Sequence, residues 1–251
     1  MLDTTSSRLE RMLRPRSIAI VGASADGKRI GGRPLRYLID YGYGGRLYAI
    51  NPKYNEIRGI PCFPDIASLP EAVDLAMLMV SGDQVLAAAE ACAERGVGGI
   101  VVSAAGFAEE GEAGRARQDR LAEIGRVSGM RILGPNTIGF RDQRQGVFAT
   151  FATDLDSGRR PGNIAVIVQS GGLGGYFGGA QLRELGIGTG YLIDTGNEVD
   201  VDAAECVELV ANDPDVNVIG LILESARDGR RLLDAALAAR EQGVPVILLK
   251  T

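Results

Sequence analysis

The sequence predicts an α/β protein built from two parallel sheets in tandem, each covered by helices on both faces. Three observations carry this expectation. Short runs of consecutive Ile, Val and Leu recur along all 251 residues, and such runs read as strands buried on both faces. Helix-length segments separate most of them, and strand alternating with helix specifies a parallel sheet. One polar, turn-rich stretch, Asp154–Gly162 (DLDSGRRPG), interrupts the rhythm and divides the chain.

Taken in order, Ser7–Leu13 reads as a short leading helix closed by Pro15, and Ile18–Val21 (IAIV) as the first strand. A polar loop holding Lys28 follows, then a helix over Gly32–Asp40 with its stop in Tyr41–Gly45. Leu47–Ile50 (LYAI) and Val73–Val80 read as the second and third strands, with a helix from about Asp83 to Glu94. Ile100–Val102 is the fourth strand, a helix runs from the acidic loop Glu109–Glu112 to about Val127, and Arg131–Leu133 is the fifth. The alternation breaks around Gly146–Gly162 and resumes with strand Ile164–Val168, a helix from about Gly172 to Leu185 and strand Gly190–Ile193. A helix over Asp202–Ala211, strand Val218–Leu223, helix Gly229–Arg240 and strand Val244–Leu249 complete the pattern. The expected division is a first domain over 1–150, a linker over 151–162 and a second, flavodoxin-sized domain over 163–251 that stops abruptly.

Composition narrows the chemistry. A hydrophobic fraction of 45% with 24% charged residues fits a globular protein with ample core. The sequence has no run approaching a membrane span and no apolar N-terminal core, so a cytoplasmic location is expected. The net charge of −5 argues against nucleic acid. Cys62, Cys92 and Cys206 lie far apart, in no metal or redox spacing, and are expected as plain core thiols. The chain contains no His, which removes His-based acid/base, nucleophilic or zinc chemistry from its own side chains. Only three of its 27 cationic residues are lysines (Lys28, Lys53, Lys250), so their positions are informative.

Ligands of open parallel sheets bind at the carboxyl ends of the strands. The first such end, Gly22-Ala23-Ser24, departs from the dinucleotide fingerprint, because Ser24 replaces its second glycine. The second strand ends in Asn51-Pro52-Lys53 rather than in the acidic residue that takes a nicotinamide ribose hydroxyl. A cation there suits a nucleotide with a phosphorylated ribose, either NADP or coenzyme A. Ser103–Phe107 and Gly134-Pro135-Asn136 complete the rim, where the Asn136 amide would hold a carbonyl or thioester. In the second half, Val168 leads into Gln169-Ser170-Gly171-Gly172 and a helix start. The unpartnered N–H groups of a helix start, with the helix dipole behind them, make a ready anion site.

Seven motifs in order carry a resemblance. IAIVGAS, LYAINPK (Leu47–Lys53), GFAEEG (Gly106–Gly111), GPN (Gly134–Asn136), VQSGG (Val168–Gly172), Gly196-Asn197 and LILE (Leu221–Glu224) fall as they do in the NDP-forming acyl-CoA synthetases. That superfamily includes the succinyl-CoA synthetase α subunit and the ADP-forming acetate–CoA ligases, and the sequence resembles the second group more closely. The likeness runs from about Leu13 to Lys250. It implies a Rossmann-like CoA-binding domain followed by a flavodoxin-like succinyl-CoA-synthetase-type domain. Gly22, Ala23 and Ser24 would lie by the CoA phosphates, Lys53 at the nucleotide end, and Ser103 and Asn136 along the pantetheine arm. Ser170, Gly171 and Gly172 would cradle a phosphoryl group, and Glu224 matches the catalytic glutamate that orients a phosphorylated His. In such enzymes acyl-CoA and phosphate interconvert with acyl phosphate and CoA. The phosphoryl group then rides on that His to ADP, with Mg, in an ATP-grasp domain or subunit.

The family's nucleophilic His sits in a Ser-His-Thr-Gly motif after the strand that Val244–Lys250 matches, whereas this sequence stops at Thr251. The chain is therefore expected to be a portion of a longer synthetase, inactive alone and lacking the ATP-grasp part. Thr137 stands where many relatives have Cys. Two other functions remain open to the sequence: a non-catalytic CoA-sensing pair fused to an acetyltransferase, and an NADP-binding oxidoreductase domain. The unmatched edge of the second sheet makes a homo-oligomer an expectation as well.

Overall fold

The structure is a computed structural model that describes residues 5–251; residues 1–4, the start of the expected first domain, lie outside it. A leading helix, α1 (Thr5–Leu13), precedes the first sheet. At the centre of that sheet, β1 (Ser17–Val21) is buried along its whole length. It is followed by α2 (Arg33–Asp40), β2 (Arg46–Ile50) and a short antiparallel pair, β3 (Glu56–Ile57) and β4 (Ile60–Phe63). Next come β5 (Leu75–Leu78), α3 (Val85–Arg95), β6 (Gly99–Val102), α4 (Glu112–Ser128) and β7 (Arg131–Leu133). The strand order is β3-β4-β2-β1-β5-β6-β7, with every pair parallel except β3–β4. Without β3 this is the doubly wound Rossmann order, whose direction reverses between β1 and β5.

The second sheet opens with a hairpin, β8 (Gly139–Asp142) and β9 (Val147–Thr150), and continues with β10 (Ile164–Val168). The helix expected from Gly172 begins as α5 (Gly171–Leu173), continues as a π-helix over Gly174–Gln181 and closes as α6 (Leu182–Glu184). Six of the eleven residues in Gly171–Gln181 are glycine, so α-helical propensity there is weak and packing decides the winding. β11 (Thr189–Asp194), α7 (Ala203–Ala211), β12 (Val218–Leu223), α8 (Gly229–Glu241) and β13 (Val246–Lys250) follow. The order is β13-β12-β10-β11-β8-β9, parallel except for the hairpin, which joins β11 antiparallel. Its parallel part has the flavodoxin-type order.

The hairpin departs from the sequence reading. Residues 139–150 were assigned to the first domain, yet they hydrogen-bond into the second sheet. Arg141 and Asp154 are both buried and paired at 2.7 Å, so charged residues occupy core positions and hide the strand pattern. The two sheets share one apolar core, in which Leu9, Met12, Ile20 and Leu35 of the first unit join Phe148, Tyr191 and Ile193 of the second. Of the three thiols, Cys92 and Cys206 are buried, and burial pushes Cys92 up to about 12; Cys62 is half-buried.

One crossing places the strand tips of the two sheets together. From the end of β7 the chain passes through Gly134–Ile138 into β8. The segment after β11 returns beside it: Val201 N donates to Ile132 O at 3.1 Å, Val199 N to Gly134 O at 3.0 Å and Asn197 N to Pro135 O at 2.9 Å. Arg131 clamps the crossing, donating to both Asp200 and Glu205 at 2.6–3.1 Å. Burial disfavours the Arg131 cation, but its two carboxylate partners outweigh that and raise its pKa.

Candidate active site at the paired strand tips

The first turn sits where the order of the first sheet reverses. Gly22 has φ +81°, and a Cβ there would lie 2.5 Å from the Met79 carbonyl oxygen, so only glycine fits. Its amides are already committed: Gly22 N and Ala23 N donate to Ile50 O, and Ser24 N donates to Gly31 O. Asn51 ties the neighbouring turn to it, donating from Nδ2 to Ala23 O at 2.8 Å and accepting from Lys53 N at 3.0 Å. Lys53 is thereby held beside the Gly22 turn, exposed, and no ion pair engages it.

Ser103 and Asn136 from the first sheet line a cavity of about 690 Å³ together with Ser170, Gly171, Gly172 and Glu224 from the second. Gly22, Ala23, Ser24 and Lys53 lie outside its walls. Asn136 adopts φ +59°, a left-handed conformation that Asn tolerates better than most residues, and its Nδ2 lies 3.4 Å from Asn197 Oδ1. Ser170 is the extended residue before α5, and Gly171 and Gly172 open that helix, so their amides have no intrahelical acceptor. A Cβ on Gly171 would lie 2.6 Å from Ile138 Cγ2.

Gln169 couples the two strand tips at the reversal of the second sheet. Its Oε1 accepts from Glu224 N at 2.8 Å and Ser225 N at 2.9 Å, and its Nε2 donates to Ser225 O at 2.9 Å. Glu224 is thus an exposed carboxylate on a pinned backbone at the cavity wall.

Five polar residues of the site carry no role in the sequence reading. Glu109 accepts from Gly106 N at 2.7 Å and from Asn197 Nδ2 at 2.5 Å, joining the two units across the cavity. Burial opposes its ionisation, but the bonds from Asn197, Phe107 and Gly106 outweigh that and hold it below the usual carboxylate range. Gln118 accepts from the same Asn197 amide at 3.0 Å. Arg227 donates to Glu198 O at 2.9 Å and Asp200 O at 3.1 Å. Asp194, wholly buried at the end of β11, accepts from Ile138 N at 2.8 Å and Gly196 N at 3.3 Å. Burial pushes its carboxyl up to about 6, against the pull of those hydrogen bonds, and the nearby Glu224 charge adds to the rise. Glu109 and Asn197 stand inside two of the quoted motifs and were within reach of the sequence; Gln118, Asp194 and Arg227 carry no local signal.

Residues 16–143 match the CoA binding domain family, and residues 161–251 match the succinyl-CoA ligase like flavodoxin domain family. The chain belongs to the NDP-forming acyl-CoA synthetase superfamily. It is 36% identical over 242 residues to the α subunit of an ADP-forming acetate–CoA ligase II from Pyrococcus furiosus, covering 96% of this chain and 51% of that one. With the ADP-forming acetate–CoA ligase II of Archaeoglobus fulgidus the identity is 32%, over 99% of this chain and 36% of that protein. Among solved structures, the apo dinucleotide-forming acetyl-coenzyme A synthetase 1 of Ca. Korarchaeum cryptofilum superposes with a TM-score of 0.90 at 34% identity, over 96% of this chain and 52% of that one. Another structure of that synthetase is a complex with phosphate and ADP. The chain spans about half the length of the two P. furiosus α subunits it matches. None of these superfamily members supports an acetyltransferase-linked sensor or an NADP oxidoreductase. Among the described residues no helix is long and apolar enough to cross a membrane.

Proposed function

We propose that this chain is the CoA-binding and phosphoryl-supporting portion of an ADP-forming acyl-CoA synthetase, which interconverts acyl-CoA, ADP and phosphate with carboxylate, CoA and ATP. One observation carries the reading: the residues expected at the thioester end of CoA and those expected around a phosphoryl group line a single cavity. There a phosphate oxygen attacks the thioester carbonyl carbon, the C–S bond breaks, and CoA leaves as the thiol. The amides of Gly171 and Gly172 receive the phosphoryl oxygens, and Ser103 and Asn136 flank the pantetheine arm. Glu224 orients a His supplied from outside this chain, which carries the phosphoryl group to ADP and Mg on an ATP-grasp domain or subunit.

In this reading residues 1–150 form the CoA-binding unit, 151–162 the linker and 163–251 the ligase unit, with the β8–β9 hairpin strapping one to the other. The Gly22–Ser24 turn shapes the path of the CoA phosphates, and Lys53 supplies the charge for the ribose 3′-phosphate. The apolar, exposed edge strand β13 (Ile247, Leu248, Leu249) supports association with a further segment, a partner or a second copy. A cytoplasmic setting accords with CoA chemistry.

Isothermal titration of the chain with CoA and with 3′-dephospho-CoA tests the reading. CoA binds, dephospho-CoA binds about tenfold more weakly, and Lys53→Ala removes the difference, as expected for one charge-assisted contact. Failure of CoA to bind sinks the function; equal affinity for the two ligands sinks the role of Lys53.

A further inference from the structure

Resting on that reading, the cavity also carries information about the acyl group. For acyl transfer, the carbonyl carbon must come within bonding distance of both the CoA sulfur, near Asn136, and a phosphate oxygen, near Gly171. Only two residues bridge these points in the chain. Thr137 turns away: it is buried, its Oγ1 donates to Asp194 O at 2.5 Å and accepts from Gly139 N at 2.8 Å. Ile138 turns toward the site, lining the cavity with its Cγ2 against Gly171. Phe151, half-buried, is the other large apolar side chain on the cavity wall.

We infer that Ile138 and Phe151 form the wall met by the acyl tail, and that they select an uncharged, apolar chain over one ending in a second carboxylate. The charges of the cavity agree. Glu109, Glu198 and Glu224 place three carboxyl groups around it. The cation among its lining residues, Arg227, is already engaged by two backbone carbonyls. A distal carboxylate on the acyl group would therefore meet like charge with no free cation to balance it.

Titration calorimetry with CoA, butyryl-CoA and succinyl-CoA on the wild-type chain, Ile138→Ala and Phe151→Leu tests this. In the wild type, butyryl-CoA binds about three- to tenfold more tightly than CoA, since each buried methylene contributes about a fourfold gain, and succinyl-CoA binds no better than CoA. Ile138→Ala brings the butyryl-CoA to CoA ratio near one while leaving CoA affinity within about twofold. Phe151→Leu, at a half-buried site that tolerates the change, lowers the same ratio by about twofold and keeps the result interpretable should Ile138→Ala fold poorly. A butyryl-CoA advantage unchanged in both variants, or succinyl-CoA binding as tightly as butyryl-CoA, overturns the assignment with CoA binding intact. Loss of all CoA binding in the wild type instead overturns the functional reading beneath it.

Discussion

The two glycine turns at the reversal points of the two sheets look alike in sequence and are built oppositely. In the first, the amides of Gly22, Ala23 and Ser24 are spent on Ile50 O and Gly31 O, and an exposed lysine stands alongside. In the second, the helix-start amides of Gly171 and Gly172 remain open, and the side chains around them are the carboxylates Glu224 and Asp194. A turn with closed amides attracts an anion by side-chain charge, which salt screens. A turn with open amides attracts it by short-range dipoles that tolerate negative neighbours. The difference matches a long, flexible ligand with scattered phosphates on one side and a small group held in one orientation on the other.

The comparison breaks most sharply at the glycines. Gly22→Ala meets a backbone carbonyl at a positive φ and should cost about 2–4 kcal/mol in urea unfolding. Gly171→Ala meets mainly a methyl of Ile138, which can shift, and should cost about 1 kcal/mol while weakening inorganic phosphate binding severalfold. Equal costs at the two sites would mean that the turns are not built differently.

Asp194 sharpens the comparison through pH. Its folded carboxyl titrates at about 6 against an ordinary 3.8, so the native state holds the extra proton between those values. Stability therefore falls as pH rises from about 4 to about 6, by on the order of 2–3 kcal/mol. Asp194→Asn should flatten that part of a pH series of thermal or urea melts; an unchanged slope would assign it to other groups. The smallest effect concerns salt. Raising ionic strength from 50 to 500 mM should weaken CoA binding to the wild type by a few-fold and to Lys53→Ala by less. Identical salt dependence would remove Lys53 from the CoA phosphates.

Much of the site was legible because its residues sit at strand ends, and strand ends are marked by local pattern. The runs Ile18–Val21, Ile164–Val168 and Val218–Leu223 locate Gly22, Ser170 and Glu224 without any knowledge of tertiary contacts. The β8–β9 hairpin was not legible, since Arg141 and Asp154 neutralise each other only once the chain brings them together. Asp194 reads as a strand-ending carboxylate like any other until Ile138, fifty-six residues away, buries and bonds it.

By itself, then, the sequence determined two successive βα alternations, the glycine turns that end their central strands, and the absence of any histidine in this chain. These are matters of local periodicity, backbone freedom and side-chain inventory. Tertiary structure alone decided that the two sets of strand tips face one cavity, that the amides of one turn are closed and those of the other open, and that one carboxyl group holds its proton toward pH 6. Each of these depends on hydrogen-bond partners and burial supplied by residues distant in the chain, which no local pattern encodes.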